Sequence, residues 1–237
     1  MDMQAYQKEI RDFYNKTPEI WAPNDYWHLW SKKQIEKYLH SIPIQDSDYV
    51  LNAGSGGNAY GIKCNMVHLD IADQKLKDLT NTIISSVEKI PINSCVFDAT
   101  ICVGSVINYC DAVAAIAELA RVLKQNGILV LEFESSSGFE YKGTSTYNKS
   151  ATIVTVQFQG QDHTQWLYSF SYIKKILLSN GLVIDDVFPY QIMSSFALKH
   201  LKNETASVKY AQLDSLVRRV PCISSHANNY IIRCHKL

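Results

Sequence analysis

At 237 residues, 46% apolar and 19% charged, the chain has the composition of a folded globular protein and is long enough to bury a sizeable core. Lys plus Arg and Asp plus Glu number 23 each, so the chain lacks the basic surplus of a dedicated nucleic-acid binder. No apolar run reaches the length of a membrane span, and the first residues carry no apolar leader, so a cytoplasmic location is expected.

The first forty residues predict two helices, over about 3–15 and 25–40, joined across Pro18 and Pro23. After Pro43 the pattern changes to short apolar strands near 48–53, 65–70, 82–87, 97–103 and 127–134. A helix over 111–123 has Asp111 as its N-cap and stops ahead of Asn126-Gly127. Strands and helices alternating in this way predict a parallel sheet with right-handed crossovers. Residues 151–158 and 163–170 read as a hairpin around Gln159-Gly160-Gln161-Asp162. A helix over 171–180, a strand over 182–188, further helix near 205–218 and a closing strand over 230–234 complete the chain.

The most informative stretch is Tyr49-Val50-Leu51-Asn52-Ala53-Gly54-Ser55-Gly56-Gly57-Asn58, followed by His68-Leu69-Asp70. An apolar strand enters a glycine-rich turn, where glycine accepts positive φ and lets a ligand approach the backbone. A second strand ends in an acid able to accept hydrogen bonds from ribose hydroxyls, which together predict an adenosine-bearing cofactor at the carboxyl ends of parallel strands. Gly54-x-Gly56-x-x-Ala59 also satisfies the spacing of a dinucleotide fingerprint. That fingerprint needs a full helix behind the turn and an acid about twenty residues on; Asp70 comes too soon. The six cysteines, Cys64, Cys95, Cys102, Cys110, Cys222 and Cys234, form no C-x-x-C pair. Cys222, His226, Cys234 and His235 match no metal-ligand spacing, so no metal is expected and the thiols read as reduced and structural.

The order of these pieces resembles the class I S-adenosylmethionine-dependent methyltransferases, with motifs over residues 45–135 and topology beyond them. Asn52-Ala53-Gly54-Ser55-Gly56-Gly57-Asn58 corresponds to the family's acid-x-G-x-G-x-G turn, and Asp70 to its ribose-binding acid. Ser86-Val87-Glu88-Lys89-Ile90-Pro91 is similar to its adenine segment. Val96-Phe97-Asp98 and the run Glu118-Leu119-Ala120-Arg121-Val122-Leu123-Lys124-Gln125-Asn126-Gly127 are similar to its fourth strand and to the helix and turn before its fifth strand. The chain departs from the family pattern at Asn52, where an acid is usual, at Asn58 in place of the third glycine, and at Ser86, where an aspartate is common. The helix after the glycine turn must also be short or distorted.

The resemblance implies an α/β, Rossmann-like, seven-stranded, mostly parallel sheet with helices on both faces. It implies one domain over 1–237, comprising a helical cap (1–43), a cofactor-binding core (44–135), an inserted hairpin (136–170) and the C-terminal part of the sheet (171–237). It further implies S-adenosyl-L-methionine as cofactor, S-adenosyl-L-homocysteine as product, and Asn52, Ala53, Gly54, Ser55, Gly56, Asp70, Ile71, Ser86, Val87, Glu88, Val103, Gly104 and Ser105 as the cofactor's contacts. Asn108 and Tyr109 follow the fourth strand, where donor and acceptor meet in the family. The catalytic candidates are Tyr109 and two histidines, His28 and His163, which titrate near neutrality. Glu132 and Glu134 share one face of the fifth strand and line the acceptor cleft or meet solvent. Tyr14, Trp21, Tyr26, Trp27 and Trp30 form a lid or simply pack. The Asp/Asn-Pro-Pro-aromatic motif of base-flipping DNA methylases is absent. The expected activity is methyl transfer to O, N or S of a small molecule, by a monomer or homodimer without nucleic acid or membrane. A protein or RNA methyltransferase and a catalytically silent cofactor-binding scaffold are the alternatives.

Overall fold

The computed structural model describes residues 3–158 and 160–237. In chain order its elements are α1 (Met3–Lys16), α2 (Tyr26–Leu39), β1 (Tyr49–Ala53), β2 (Asn65–Asp70), β3 (Thr82–Ile84), β4 (Phe97–Cys102), α3 (Ala112–Val122) and β5 (Leu123–Glu134). There follow the hairpin β6 (Ala151–Phe158) and β7 (Gln161–Tyr168), then α4 (Phe170–Ser179), β8 (Leu182–Tyr190), α5 (Ile192–Leu201) and β9 (Asn229–Lys236). Seven strands form one sheet in the order β3-β2-β1-β4-β5-β9-β8, all parallel except β9, which runs antiparallel to both its neighbours. The hairpin is a separate two-stranded sheet. Among the described residues no helix is long and apolar enough to cross a membrane.

The expected sheet and its central strands are present, and the differences have local causes. No helix at all forms between β1 and β2. Gly54, Gly56, Gly57, Tyr60 and Gly61 all hold positive φ there, and right-handed helix cannot propagate through such residues. The sheet face that helix would cover is taken by α2, which begins on the Asp25 side chain accepting from His28 N at 3.1 Å. Its Ile35, Tyr38 and Leu39 pack with Val50, Ala99, Ile101, Val130 and Ile231 from β1, β4, β5 and β9. On the opposite face α3 and α4 bury Ala115, Ile116, Leu119, Ile173 and Leu177 against Leu51, Leu69, Phe97 and Leu131. Thus α2 is a structural layer and only α1 has the position of a cap.

The third strand is only three residues long, which leaves Ser86–Pro91 in a loop. β5 starts four residues earlier than predicted: Asn126, at φ 61°, lies in an irregularity of its pairing with β4, so Asn126-Gly127 interrupts a strand instead of preceding one. β7 runs two residues earlier than the predicted 163–170, and Gln159 of the expected turn lies outside the described residues. The helix near 205–218 breaks into short turns. α5 was not expected, because its N-terminus is capped from a distance: Asp214 Oδ1 accepts from Met193 N at 2.9 Å, and both its oxygens accept from Ile192 N at 3.2 Å.

Because Ile35 is fully buried between α2 and the sheet, Ile35→Ala should destabilise the protein by about 2–5 kcal/mol in urea unfolding. Removing residues 1–16, which lie outside that layer, should leave a cooperative transition; its loss would make α1 part of the folding core.

Candidate functional site

A cavity opens at the carboxyl ends of β1, β2 and β4, where ligands bind in open α/β sheets. Its floor is the turn Gly54-Ser55-Gly56. A Cβ on Gly54 would strike the side chain of Val106, and one on Gly56 that of Ile20, so only glycine leaves the cradle open at these positive-φ positions. The turn is held by Asp70, whose Oδ2 accepts from Gly56 N at 2.7 Å and whose Oδ1 accepts from Ala72 N at 2.8 Å. Burial pushes the Asp70 carboxyl above the usual range, against these two hydrogen bonds. Ile71, Ser85, Ser86 and Val87 form one wall, Val103, Gly104 and Val106 the other.

Helix α1 closes the cavity from above, contributing Gln7, Ile10 and Tyr14. It is strapped down by polar contacts: Gln7 Nε2 donates to Ser86 Oγ at 3.3 Å and Glu88 Oε2 at 2.5 Å, Asn15 Nδ2 to Asp73 Oδ1 at 2.8 Å, and Tyr6 Oη to the Thr164 carbonyl at 2.9 Å. Lys75 donates to the carbonyls of Thr17 and Pro18 and holds the segment after α1 over the mouth.

Past Tyr14, Trp21, Gly104 and Tyr109 the space continues into a second chamber. Trp27, His28, Glu132, Glu134, Phe158, Gln191 and Asn229 are among its lining. Glu132 is fully buried and saturated: Oε2 accepts from Gly104 N (2.9 Å) and Ser105 N (2.6 Å), Oε1 from Tyr190 Oη and Asn229 Nδ2 (both 2.7 Å). Glu134 accepts from Tyr141 Oη at 2.8 Å and Gln165 Nε2 at 2.7 Å. Beyond it lie Glu140, Glu204 and His163. Burial, and then the neighbouring charge of Glu134, push Glu140 up to about 8.

Of the predicted contacts, Gly54, Ser55, Gly56, Asp70, Ile71, Ser86, Val87, Val103 and Gly104 line the first cavity. Four do not. Asn52 spends its amide on the Asn58 carbonyl (2.7 Å) and Met66 sulfur, Ala53 is buried beneath the turn, and Ser105 lines the second chamber. Glu88 anchors α1 through Gln7 and accepts from Asp111 N at 2.6 Å. Asn108 is also structural, bonding both Glu134 backbone groups and the Trp166 carbonyl. Tyr109 lies where the chambers join, 2.8 Å from His163 Nε2. Burial raises the Tyr109 phenol well above its ordinary range and lowers the His163 imidazole, so the pair is neutral. His28 pairs with Asp25 at 2.7 Å; burial opposes its charge, but Asp25 outweighs it and raises the imidazole. Tyr26 is exposed, and Trp30 lines neither chamber. Tyr60, Lys75, Gln191 and Asn229 were not foreseen, and only the polar pair Asn228-Asn229 ahead of an apolar strand gave any sequence signal. No cluster of metal ligands occurs among the described residues.

Residues 46–131 match the family model of the methyltransferase domain. An uncharacterized protein of Methanocaldococcus jannaschii is 29% identical over 130 residues, 51% of this chain, and the chain spans about half of that relative's length. Among solved structures, magnesium protoporphyrin IX methyltransferase from Synechocystis PCC 6803 with bound S-adenosylmethionine is similar with a TM-score of 0.61 and 13% identity, over 98% of this chain and 97% of the other. The 1,6-didemethyltoxoflavin-N1-methyltransferase of Burkholderia thailandensis, with 1,6-didemethyltoxoflavin and S-adenosylhomocysteine bound, gives 0.56 and 10% identity, over 98% and 88%.

The raised Glu140 carboxyl binds a proton in the folded state at pH values where the unfolded chain has lost it. Its contribution to stability is therefore full below the ordinary carboxylate range and is lost as pH rises toward about 8. Glu140→Gln should flatten this decline in urea midpoints measured from pH 4.5 to 8.5; an unchanged slope would place the titration elsewhere.

Proposed function

We propose that this chain, a class I S-adenosylmethionine-dependent methyltransferase in its domain and fold, transfers the cofactor's methyl group to an oxygen, nitrogen or sulfur of a small-molecule acceptor. The observation that carries the proposal is the pair of chambers meeting at Gly104 and Tyr109, one built on the glycine turn and Asp70, the other lined by aromatic and acidic side chains. When bound, S-adenosylmethionine supplies an electrophilic methyl group on a sulfonium that leaves as a neutral thioether.

The residues present fit that cofactor. Gly54 and Gly56 keep open a cradle that any Cβ would fill. The Asp70 carboxylate, held by backbone N–H groups of Gly56, Ala72 and Ile71, retains a lone pair for a ribose hydroxyl. Ser86 and Val87 would flank the adenine, and Val103 and Gly104 the methionine part. Asn52, whose amide is spent within the turn, would shape the cradle without touching the ligand. Tyr109 would orient the acceptor at the junction, with His163 fixing its hydroxyl; His28 stands at the far side of the second chamber. Helix α1 would exclude water and hold the reacting groups in line, the chief requirement of a direct displacement. The small, aromatic-lined second chamber favours a small molecule over a protein or nucleic acid. We further propose a cytoplasmic protein acting as one domain, monomeric or homodimeric.

Calorimetry should give heat for S-adenosylhomocysteine and none for NAD. Asp70→Ala should weaken cofactor binding by about 1.5–3 kcal/mol, the scale of hydrogen bonds to a charged group. Gly56→Val should abolish the thermal-melt upshift given by S-adenosylhomocysteine. Tight NAD binding without S-adenosylhomocysteine binding would overturn the assignment.

A further inference from the structure

The second chamber and its extension toward the hairpin contain Glu132, Glu134, Glu140 and Glu204, while no Lys or Arg is among the described residues lining either space. Of the two histidines there, His28 is paired with Asp25, and His163 is held neutral by burial. Burial first, and the charge of Glu134 second, push up the Glu140 carboxyl, and His28 is the cation that Glu134 and Glu204 face. A second, independent observation concerns the amides. Gln191 and Asn229 both line the chamber, are buried to 0% and 4% exposure, and each keeps its amide oxygen without a partner. Their orientation is fixed, because the Gln191 nitrogen donates to the Trp27 carbonyl at 3.3 Å and the Asn229 nitrogen to Glu132. Turning either amide over would set oxygen against oxygen. Buried acceptors left unpaired are costly, so both oxygens call for hydrogen-bond donors. Trp21, Trp27, Tyr109 and Phe158 add aromatic rings to the lining, and such rings attract cations.

We propose that the acceptor is a small amine, recognised as its ammonium by Glu134 and the Gln191 and Asn229 amide oxygens, and methylated on nitrogen. This rests on the methyltransferase function above and names its substrate class. In the transfer the ammonium gives one proton to the Glu134 carboxylate, and the freed lone pair forms the N–C bond. The C–S bond breaks with its electron pair remaining on sulfur. The product leaves as a methylammonium, and one proton passes to solvent.

The test uses the full chain saturated with S-adenosylhomocysteine and a matched probe set: 2-phenylethylamine, 2-phenylethanol and phenylacetate, with ethylamine and tryptamine to grade size. Calorimetry should show at least one amine binding ten times or more tighter than the alcohol, with no heat from the carboxylate. Turnover with labelled S-adenosylmethionine should follow the same order. Glu134→Gln should weaken amine binding at least tenfold while leaving S-adenosylhomocysteine binding unchanged. Glu204→Gln, at an exposed position, should weaken it about threefold and guards against a misfolded first variant. Binding or methylation of the carboxylate with every amine inert would overturn the proposal. So would silence from all five probes while S-adenosylhomocysteine still binds, or unchanged amine affinity in a folded Glu134→Gln variant. Failure of S-adenosylhomocysteine to bind the parent protein would instead overturn the methyltransferase assignment, and amine titration of the free protein would then still decide the ammonium site.

Discussion

A single buried carboxylate, Glu132, ties the halves of this site together. It has no exposure to water, and four donors reach it from three directions: the turn after β4, the end of β8 and the start of β9. Burying a charge is tolerable only when its lone pairs are so occupied, and removing one donor would leave the others holding an under-satisfied anion. Two non-glycine residues in left-handed conformation adjoin this knot. Ser105 (φ 58°) donates to it directly, and Gln191 (φ 52°) follows Tyr190, whose hydroxyl does the same. Such conformations persist where surrounding contacts over-determine them. The wall between the two chambers is therefore set by electrostatics at the ends of four strands.

The roof has a different physical basis. α2 is fixed by apolar burial on a sheet face left bare by the helixless glycine turn, whereas α1 combines the buried Tyr6 and Ile10 with side-chain hydrogen bonds to Ser86, Glu88, Asp73 and Thr164. Polar straps of that kind exchange readily with water and are individually worth little, while the buried face of α2 is not free to leave. The N-terminal forty residues thus combine a layer of the core with a helix laid over the cavity.

Much of this could be read from the chain itself. The glycine turn, Asp70 and Ser86–Val87 are local signals, because the backbone conformation of the turn needs glycine and the strand ends need a particular side chain within a few residues. The Asp111 cap of α3 is equally local: its carboxylate accepts from Val113 N at 2.8 Å. By contrast α5 had no local start, since Asp214 caps it from twenty-two positions away. Asn108 looked like a residue that faces the acceptor, but it is consumed by β5 and the hairpin, contacts no sequence pattern announces. Glu88, placed in the adenine segment by motif, turned out to serve the straps of α1 instead.

By itself, the sequence determined the sheet, the position of its glycine cradle and the acid beside it, because strand periodicity, positive φ and capping are short-range requirements written in neighbouring residues. Only the tertiary structure decided which helix covers which face, which polar residues are spent on each other, and which are left to meet a ligand. Those outcomes depend on residues separated by 97 and 164 positions coming within hydrogen-bond distance, as Asn229 does with Glu132 and Gln191 with Trp27. The acidity of the second chamber has the same origin. The chain as a whole is neutral, and folding alone gathers four glutamates around these adjoining spaces, with no Lys or Arg among the described residues lining them.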